Sequence, residues 1–149
     1  MLNSACFADT EVDRVVALHD EYVDAVVANR LEKLRPLVSV YDLNEEVATE
    51  LRAAFLSELS TSRGAGIRLK GETVKSVEIY SEGIRRLAFL RVEGRISHPI
   101  PPLERVQDYT VYAISMDGGE TWGISTLSCF PTSQLPRLFP KYDGVPAIY

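Results

Sequence analysis

The first sixty residues carry apolar side chains at helical spacing. From about residue 10 to 30, apolar positions recur three and four residues apart, and acidic side chains occupy the other side. Such spacing predicts a long amphipathic helix, because positions three and four apart share one helical face. The apolar stripe consists of Val12, Val15, Val16, His19, Tyr22, Val23, Val26 and Val27. Valine is a weak helix former, so burial must stabilise this helix.

Two further helical patterns follow the long helix. Residues 31–38 predict a short helix, which the proline inside it limits, because proline fits only the first turn of a helix. A third helix is predicted from Asp42 or Asn44 to about Leu59, since Asp and Asn are good N-cap residues. The stretch 60–66 is rich in serine and glycine and predicts a loop.

After residue 66 the hydrophobic pattern changes from a helical to an alternating period, which indicates β-strands. The longest of the predicted strands, 84–96, is apolar on both faces in its middle, as is typical of a central strand. The proline-rich segment 98–102 is predicted to end the ladder, because proline lacks the backbone donor. The predicted strands are 67–69, 74–80, 84–96, 106–116 and 121–130.

The order of these elements predicts the fold class. Helices come first and four to five antiparallel strands follow, so we expect an α+β fold with N-terminal helices packed on one sheet. The 149 residues suit a single domain. From about residue 131 the chain is rich in proline, and we expect an extended arm packed on the domain or on a partner.

Composition narrows the functional classes. The net charge of −5 argues against general nucleic-acid binding. No apolar run approaches the roughly 20 residues of a membrane helix, and the first residues do not resemble a signal peptide, so we expect a cytoplasmic protein. Cys6 and Cys129 are too few for a disulfide framework, and we expect reduced thiols.

Charge is unevenly distributed along the chain. Residues 1–60 carry 12 acidic and 5 basic side chains, whereas residues 61–105 carry nine basic and five acidic ones. Arg85, Arg91 and Arg95 share the odd-numbered face of the long strand with Phe89. Arginine is common at protein interfaces, so this face is a candidate interface with a protein partner or a second copy. The alternative is a solvated outer face of the sheet.

Residues 115–122 read S-M-D-G-G-E-T-W and resemble the Asp-box of sialidase-like propellers. The aspartate can accept hydrogen bonds from backbone amides across the turn, and glycine adopts the positive φ that tight turns require. The motif occurs once, and 149 residues cannot form a six-bladed propeller. It therefore predicts a hairpin turn without chemistry.

A second resemblance extends over about residues 10–130. The long helix, the short helix L-E-K-L-R-P-L at 31–37 and the hairpin D-G-G-E-T-W-G-I at 117–124 resemble the NTF2-like (cystatin-like) superfamily. The resemblance implies a cone-shaped domain with a pocket between the long helix and the concave sheet. It also implies two kinds of function. Some members are isomerases, dehydratases or cyclases, and others dimerise through the sheet or act as immunity or accessory proteins.

Candidate pocket residues follow from this plan. His19 lies on the apolar stripe, and Asp108 and Tyr112 share one face of a predicted strand. Together they could serve general acid–base chemistry, with an imidazole or carboxylate moving a proton and a phenol holding an oxyanion. The alternatives are a core histidine and a solvated aspartate. No metal-ligand spacing and no nucleotide-binding glycine motif occurs, so no metal or cofactor is expected.

Two hypotheses remain at this point. The favoured one is a non-catalytic module that binds a partner protein, with the arginine-bearing strand and the proline-rich arm as contacts. The alternative is a small-molecule enzyme or carrier that uses His19, Asp108 and Tyr112 in the pocket. An open pocket with His19 beside a carboxylate would favour the second hypothesis.

Overall fold

The structure is a computed structural model that describes residues 2–34, 45–100, 102–125 and 135–142. Helices precede an antiparallel sheet with the strand order β1-β2-β3-β4, which confirms the predicted α+β class. The described elements are α1 (Leu2–Val27), α2 (Leu31–Leu34), α3 (Glu45–Gly64), β1 (Arg68–Glu82), β2 (Arg85–Pro99), β3 (Pro102–Ser115), β4 (Gly123–Ser125) and α4 (Leu135–Leu138).

The long first helix exceeds its predicted length. It begins at Leu2 rather than near residue 10, and it includes Cys6. Residues 2–9 contain neither glycine nor proline, so nothing in the sequence interrupts the helix. It ends at Val27, and Asn29 just beyond it has a left-handed φ of 56°, while the Arg30 amide donates to the Ala25 carbonyl at 2.8 Å. Within the described ranges, no helix is both long and apolar enough to cross a membrane.

The third helix also extends further than predicted. It runs to Gly64, so most of the loop expected at 60–66 is helical. Its end is closed by the Ile67 amide, which donates to the Ser62 carbonyl at 2.9 Å, and by Gly66 at a φ of 83°. Asp42, Asn44 and the end of the second predicted helix lie outside the described residues.

The first two predicted strands are one continuous strand, β1. Its register against β2 shifts between Leu69 and Gly71 and again between Val74 and Ser76. Each shift is a bulge that holds one extra residue, Lys70 and Lys75 respectively. The sequence between the two predicted strands therefore bends the strand without ending it.

The hairpin of β2 and β3 is longer than predicted. The ladder continues through His98 and Pro99, which pair with Leu103 and Pro102. Proline is tolerated there because it occupies the last pair of the hairpin, where a missing backbone donor costs least. Of the last predicted strand, β4 covers residues 123–125, and residues 126–130 lie outside the described part of the chain.

The sheet has two apolar faces. The inner face faces α1 and includes Leu90, Val92 and Ala113, which cluster with Val15 of the helix. The outer face includes Leu87, Phe89, Tyr112 and Ile114, and buried Leu138 and Phe139 cover it. The described part of the proline-rich arm is therefore packed on the sheet. This two-sided burial explains why the middle of β2 is apolar at every position.

Candidate functional site

Three ionisable side chains from three elements meet on the inner face. His19 of α1 lies one helical turn from buried Val15 and Val23 and is fully buried. Its Nε2 is 3.1 Å from Oε1 of Glu72 on β1, and the Glu72 side chain is 3% exposed. A carboxylate at this depth is unfavourable unless it is paired and hydrogen-bonded. The pair therefore joins α1 to the strand through a charged contact.

Tyr109 of β3 supplies the second partner of Glu72. Its hydroxyl donates a hydrogen bond to Oε2, so both carboxylate oxygens have partners. Tyr109 reaches β1 by crossing over β2 at Gly94, the residue paired with Glu72. A Cβ at Gly94 would be only 2.6 Å from the Tyr109 ring and its hydroxyl oxygen. The absence of a side chain at Gly94 thus permits the contact.

One of the two nitrogens of the His19 imidazole makes a hydrogen bond. An ionised carboxylate only accepts hydrogen bonds, so His19 donates its Nε2–H to Glu72. Nδ1 is buried and has no hydrogen-bond partner among the described residues. In the neutral ring, Nδ1 carries a lone pair that can accept a proton. We call His19, Glu72 and Tyr109 the inner cluster.

A groove on the surface reaches Glu72, the member of the cluster on β1, from the side of that strand. It has a volume of about 1110 Å³ and lies between the second half of α1, α2 and the edge of β1. Gly71 and Glu72 line one wall, and Asp20 and Asp24 line the opposite wall. A separate cavity of about 140 Å³ lies further along α1, and apolar residues such as Val26, Leu69 and Ile96 line it together with Asn29, Ser62 and Arg68.

The structure does not bring the predicted pocket residues together. Asp108 and Tyr112 are even-numbered residues of β3 and lie on the outer face, whereas His19 lies against the inner face. Asp108 is exposed, and in the β2–β3 ladder it lies opposite Glu93. Tyr112 is buried against Phe89 with ring centroids 5.8 Å apart. Burial and, secondarily, the nearby Tyr142 raise the pKa of the Tyr112 phenol.

Sequence reasoning missed the partners of His19 for identifiable reasons. Tyr109 is the neighbour of Asp108 in the strand, and successive side chains of a strand point to opposite faces. The prediction placed the face of Asp108 and Tyr112 in the pocket, but the opposite face, with Tyr109, lies against the helix. Glu72 was missed because residues 70–73 were assigned to neither of two short strands. A signal was present, since Glu72 is two residues from Val74, an apolar position of the inner face.

The candidate interface on the odd-numbered face of β2 divides into two parts. Phe89 is buried under the C-terminal segment, and Arg85 donates to the Leu138 carbonyl at 2.8 Å. Arg91 and Arg95 are exposed further along the strand. Among the described residues, no three His, Cys, Asp or Glu side chains converge as a metal site would require.

The Asp-box sequence forms a tight connection between β3 and β4. The Asp117 carboxylate accepts from the Thr121 amide at 2.9 Å and from the Thr121 hydroxyl at 2.5 Å. These bonds, with one from the Ser115 hydroxyl, lower the pKa of Asp117 to about 2. Gly119 takes a φ of 88° and its carbonyl accepts from Arg14 of α1 at 3.0 Å. The motif thus fastens the turn to the long helix.

The architecture is similar to that of known structures. A candidate dehydratase of the NTF2-like family from Streptomyces avermitilis matches with a TM-score of 0.52 and 12% identity, over 78% of this chain and 94% of that chain. The intermembrane space region of the chloroplast protein ARC6 matches with a TM-score of 0.44 and 17% identity, over 74% and 88% of the two chains. The chain has the NTF2-like fold.

Comparison of the sequence itself gave no relatives. No family model matches the chain, and no curated protein matches it. The structural match confirms the expectation of an NTF2-like fold.

Proposed function

We propose that this NTF2-like domain binds a small molecule at the inner cluster and moves a proton on it. The observation that carries the proposal is the buried Glu72 carboxylate held by Tyr109 and by His19, whose Nδ1 has no partner. Ionisable groups gathered in an apolar core are costly, and they are characteristic of sites that perform acid–base chemistry. The groove that reaches Glu72 provides a route of approach.

The roles of the three side chains follow from their hydrogen bonds. Neutral His19 accepts a proton at Nδ1 while its Nε2–H stays bonded to Glu72, whose negative charge stabilises the imidazolium. Tyr109 donates to the other oxygen and fixes the orientation of the carboxylate. In a β-hydroxy carbonyl compound, His19 would take the proton from the α carbon, the electron pair of that C–H bond would form the Cα=Cβ double bond as the Cβ–O bond breaks, and the same proton would go to the leaving hydroxyl, releasing water. The dehydratase description of the structural neighbour is consistent with this class.

The proposal is tested by proton exchange in D₂O. The wild-type chain should catalyse deuterium incorporation next to the carbonyl in members of a panel of β-hydroxy and unsaturated carbonyl compounds, followed by proton NMR. Glu72→Gln and His19→Asn should lower that rate by about 100-fold or more, the usual effect of a general acid–base group. Tyr80→Phe, on the outer face, is the control and should retain the rate. Exchange that survives loss of His19 and Glu72 contradicts the proposal.

A second candidate function is binding of a protein partner through the end of the β2–β3 hairpin. Residues 102–108 are all exposed, and Ile100, Leu103 and Val106 have exposed fractions of 89%, 46% and 60%. Exposed apolar side chains beside exposed Arg95 are typical of interaction surfaces. An immunity or accessory role would use this end of the sheet.

The second candidate is tested by capture from the native host. A stoichiometric partner retained by the wild-type chain should be lost with Ile100→Asp combined with Val106→Asp. Lys75→Gln is the control for a surface change elsewhere on the sheet. A partner that binds the double variant equally well would exclude this end of the hairpin as its site.

A further inference from the structure

The outer face of the sheet is covered by residues 135–142, which we call the C-terminal strap. Leu138 and Phe139 of the strap are 2% and 0% exposed, and they pack among the apolar side chains of the face. The sheet of four described strands includes no strap residue. The strap can therefore leave the face without breaking a backbone ladder.

Aromatic rings form most of the contact. Tyr142 of the strap stacks on Phe89, with ring centroids 5.5 Å apart and planes at 29°. Tyr80 of β1 contacts Tyr142 at 4.9 Å and Phe139 at 6.1 Å between centroids. Such tilted and edge arrangements are favourable for aromatic pairs. Two rings of the strap are thus held by rings of the face.

The β1–β2 hairpin binds the backbone of the strap through side chains. Arg85 donates to the Leu138 carbonyl at 2.8 Å, and Glu82 accepts from the Lys141 amide at 2.8 Å. The Tyr142 amide donates to the Phe139 carbonyl at 3.0 Å and closes a turn around Pro140. In peptide recognition, hydrogen bonds to the main chain supply affinity and pockets for side chains supply specificity, and hydrogen bonds from or to charged groups are the stronger ones.

We propose that the outer face is a peptide-binding site, which the strap occupies within its own chain. Its ligand class is a short segment with adjacent bulky apolar and aromatic residues, a proline, and a second aromatic residue two positions after the proline. Leu138-Phe139-Pro140-Lys141-Tyr142 is the example present in this chain. Proline restricts the unbound segment and lowers the entropy lost on binding. A partner that presents such a segment competes with the strap for the face.

The test uses the full chain and a labelled, end-capped peptide of residues 135–142, L-P-R-L-F-P-K-Y. The tethered strap is present at an effective concentration in about the millimolar range, so the peptide should bind the wild-type chain weakly. Weakening the strap with Phe139→Ala should increase the affinity for the peptide at least tenfold, measured by fluorescence anisotropy. The same peptide carrying F139A should lose at least tenfold in affinity for the Phe139→Ala chain.

A receptor variant locates the binding. Adding Arg85→Ala to the Phe139→Ala chain should weaken peptide binding at least fivefold, whereas Arg91→Ala, an exposed arginine of the same strand, should not. Lys141→Pro removes the strap donor to Glu82 and leaves the face intact, so it replaces Phe139→Ala if that chain does not fold. Circular dichroism establishes folding in each case.

Three results would overturn the proposal. One is a folded Phe139→Ala chain that does not bind the peptide at concentrations up to about 1 mM. Another is binding that Arg85→Ala and Arg91→Ala affect equally. The third is loss of folding in both strap variants, which would make the strap an obligatory part of the core.

Discussion

At the residue scale, the inner cluster depends on a glycine that contributes no side chain to it. Gly94 leaves space for the Tyr109 ring, and Gly71, on the neighbouring strand, leaves space for the end of the Arg95 side chain. The two positions differ in what a methyl group would displace. At Gly94 it meets a ring bonded to a buried carboxylate, and at Gly71 it meets a flexible guanidinium at 3.1 Å.

Gly94→Ala should therefore destabilise the chain far more than Gly71→Ala. Displacing Tyr109 leaves one oxygen of buried Glu72 without its donor, which costs about 1–3 kcal/mol in the free energy of unfolding. Urea denaturation of the two variants measures the difference, with Gly71→Ala as the matched control. Equal losses in the free energy of unfolding would mean that the Tyr109–Glu72 contact adds nothing to the general effect of replacing a strand glycine.

A second prediction concerns Asp117 of the Asp-box turn. Its pKa is about 2 in the folded chain, below its ordinary value of 3.8, so the ionised form favours folding. That contribution is complete above about pH 4 and is lost as pH falls towards about 2. The stability difference between the wild-type chain and Asp117→Asn should shrink over this interval, measured by thermal unfolding. A difference that stays constant with pH would contradict the assignment.

At the element scale, the attachment of α1 to the sheet combines apolar packing with the buried hydrogen bond between His19 and Glu72. His19→Leu removes the imidazole and leaves Glu72 with Tyr109 as its remaining described side-chain partner. Leaving an oxygen of a buried carboxylate without its donor costs about 1–3 kcal/mol, and more when the carboxylate is charged. Adding Glu72→Met to the same chain should recover much of the loss, because the uncompensated charge is then gone. A double-mutant cycle in urea measures this coupling, and additive losses would contradict it.

The elements also show what the sequence could predict. Helical spacing and alternation identified α1, α3, β2 and β3 in order, because burial imposes those periods directly. The alternation of apolar and polar residues does not reveal bulges. The sequence therefore predicts two short strands in place of β1, and Glu72 lies in neither of them. Tyr109 and Tyr112 lie on opposite faces of β3, and only tertiary packing decides which of these faces lies against α1. His19 was found because its stripe is long and regular.

At the scale of the whole molecule, the sheet is enclosed on both sides, by the long helix and by the C-terminal strap. Tyr112 and Tyr142 are together on the strap side, and burial with Tyr142 nearby raises the pKa of Tyr112. A raised pKa means that the protonated phenol favours folding. This stability is complete below about pH 10 and is lost as pH rises through the folded-state pKa.

Alkaline titration should consequently affect the strap side of the sheet. Tyr142→Phe removes the second phenol, so the pKa of Tyr112 should fall towards its ordinary value while burial still holds it above 10. Ultraviolet absorbance of tyrosinate follows the titration, and a variant without Tyr112 identifies its contribution. A Tyr112 pKa that does not change with Tyr142→Phe would exclude the interaction between the two phenols.

The two bulges of β1 have a consequence for the chain in concentrated solution. Within the described sheet β1 is an edge strand, and such an edge can recruit strands of other molecules and seed aggregates. Lys70 and Lys75 each occupy a bulge and are exposed. Every incoming strand would meet an irregular hydrogen-bonding edge and two lysine side chains, of which Lys75 lies 3.6 Å from the Glu93 carboxylate. The same irregularity that concealed Glu72 in the sequence thus protects the sheet against edge-to-edge growth.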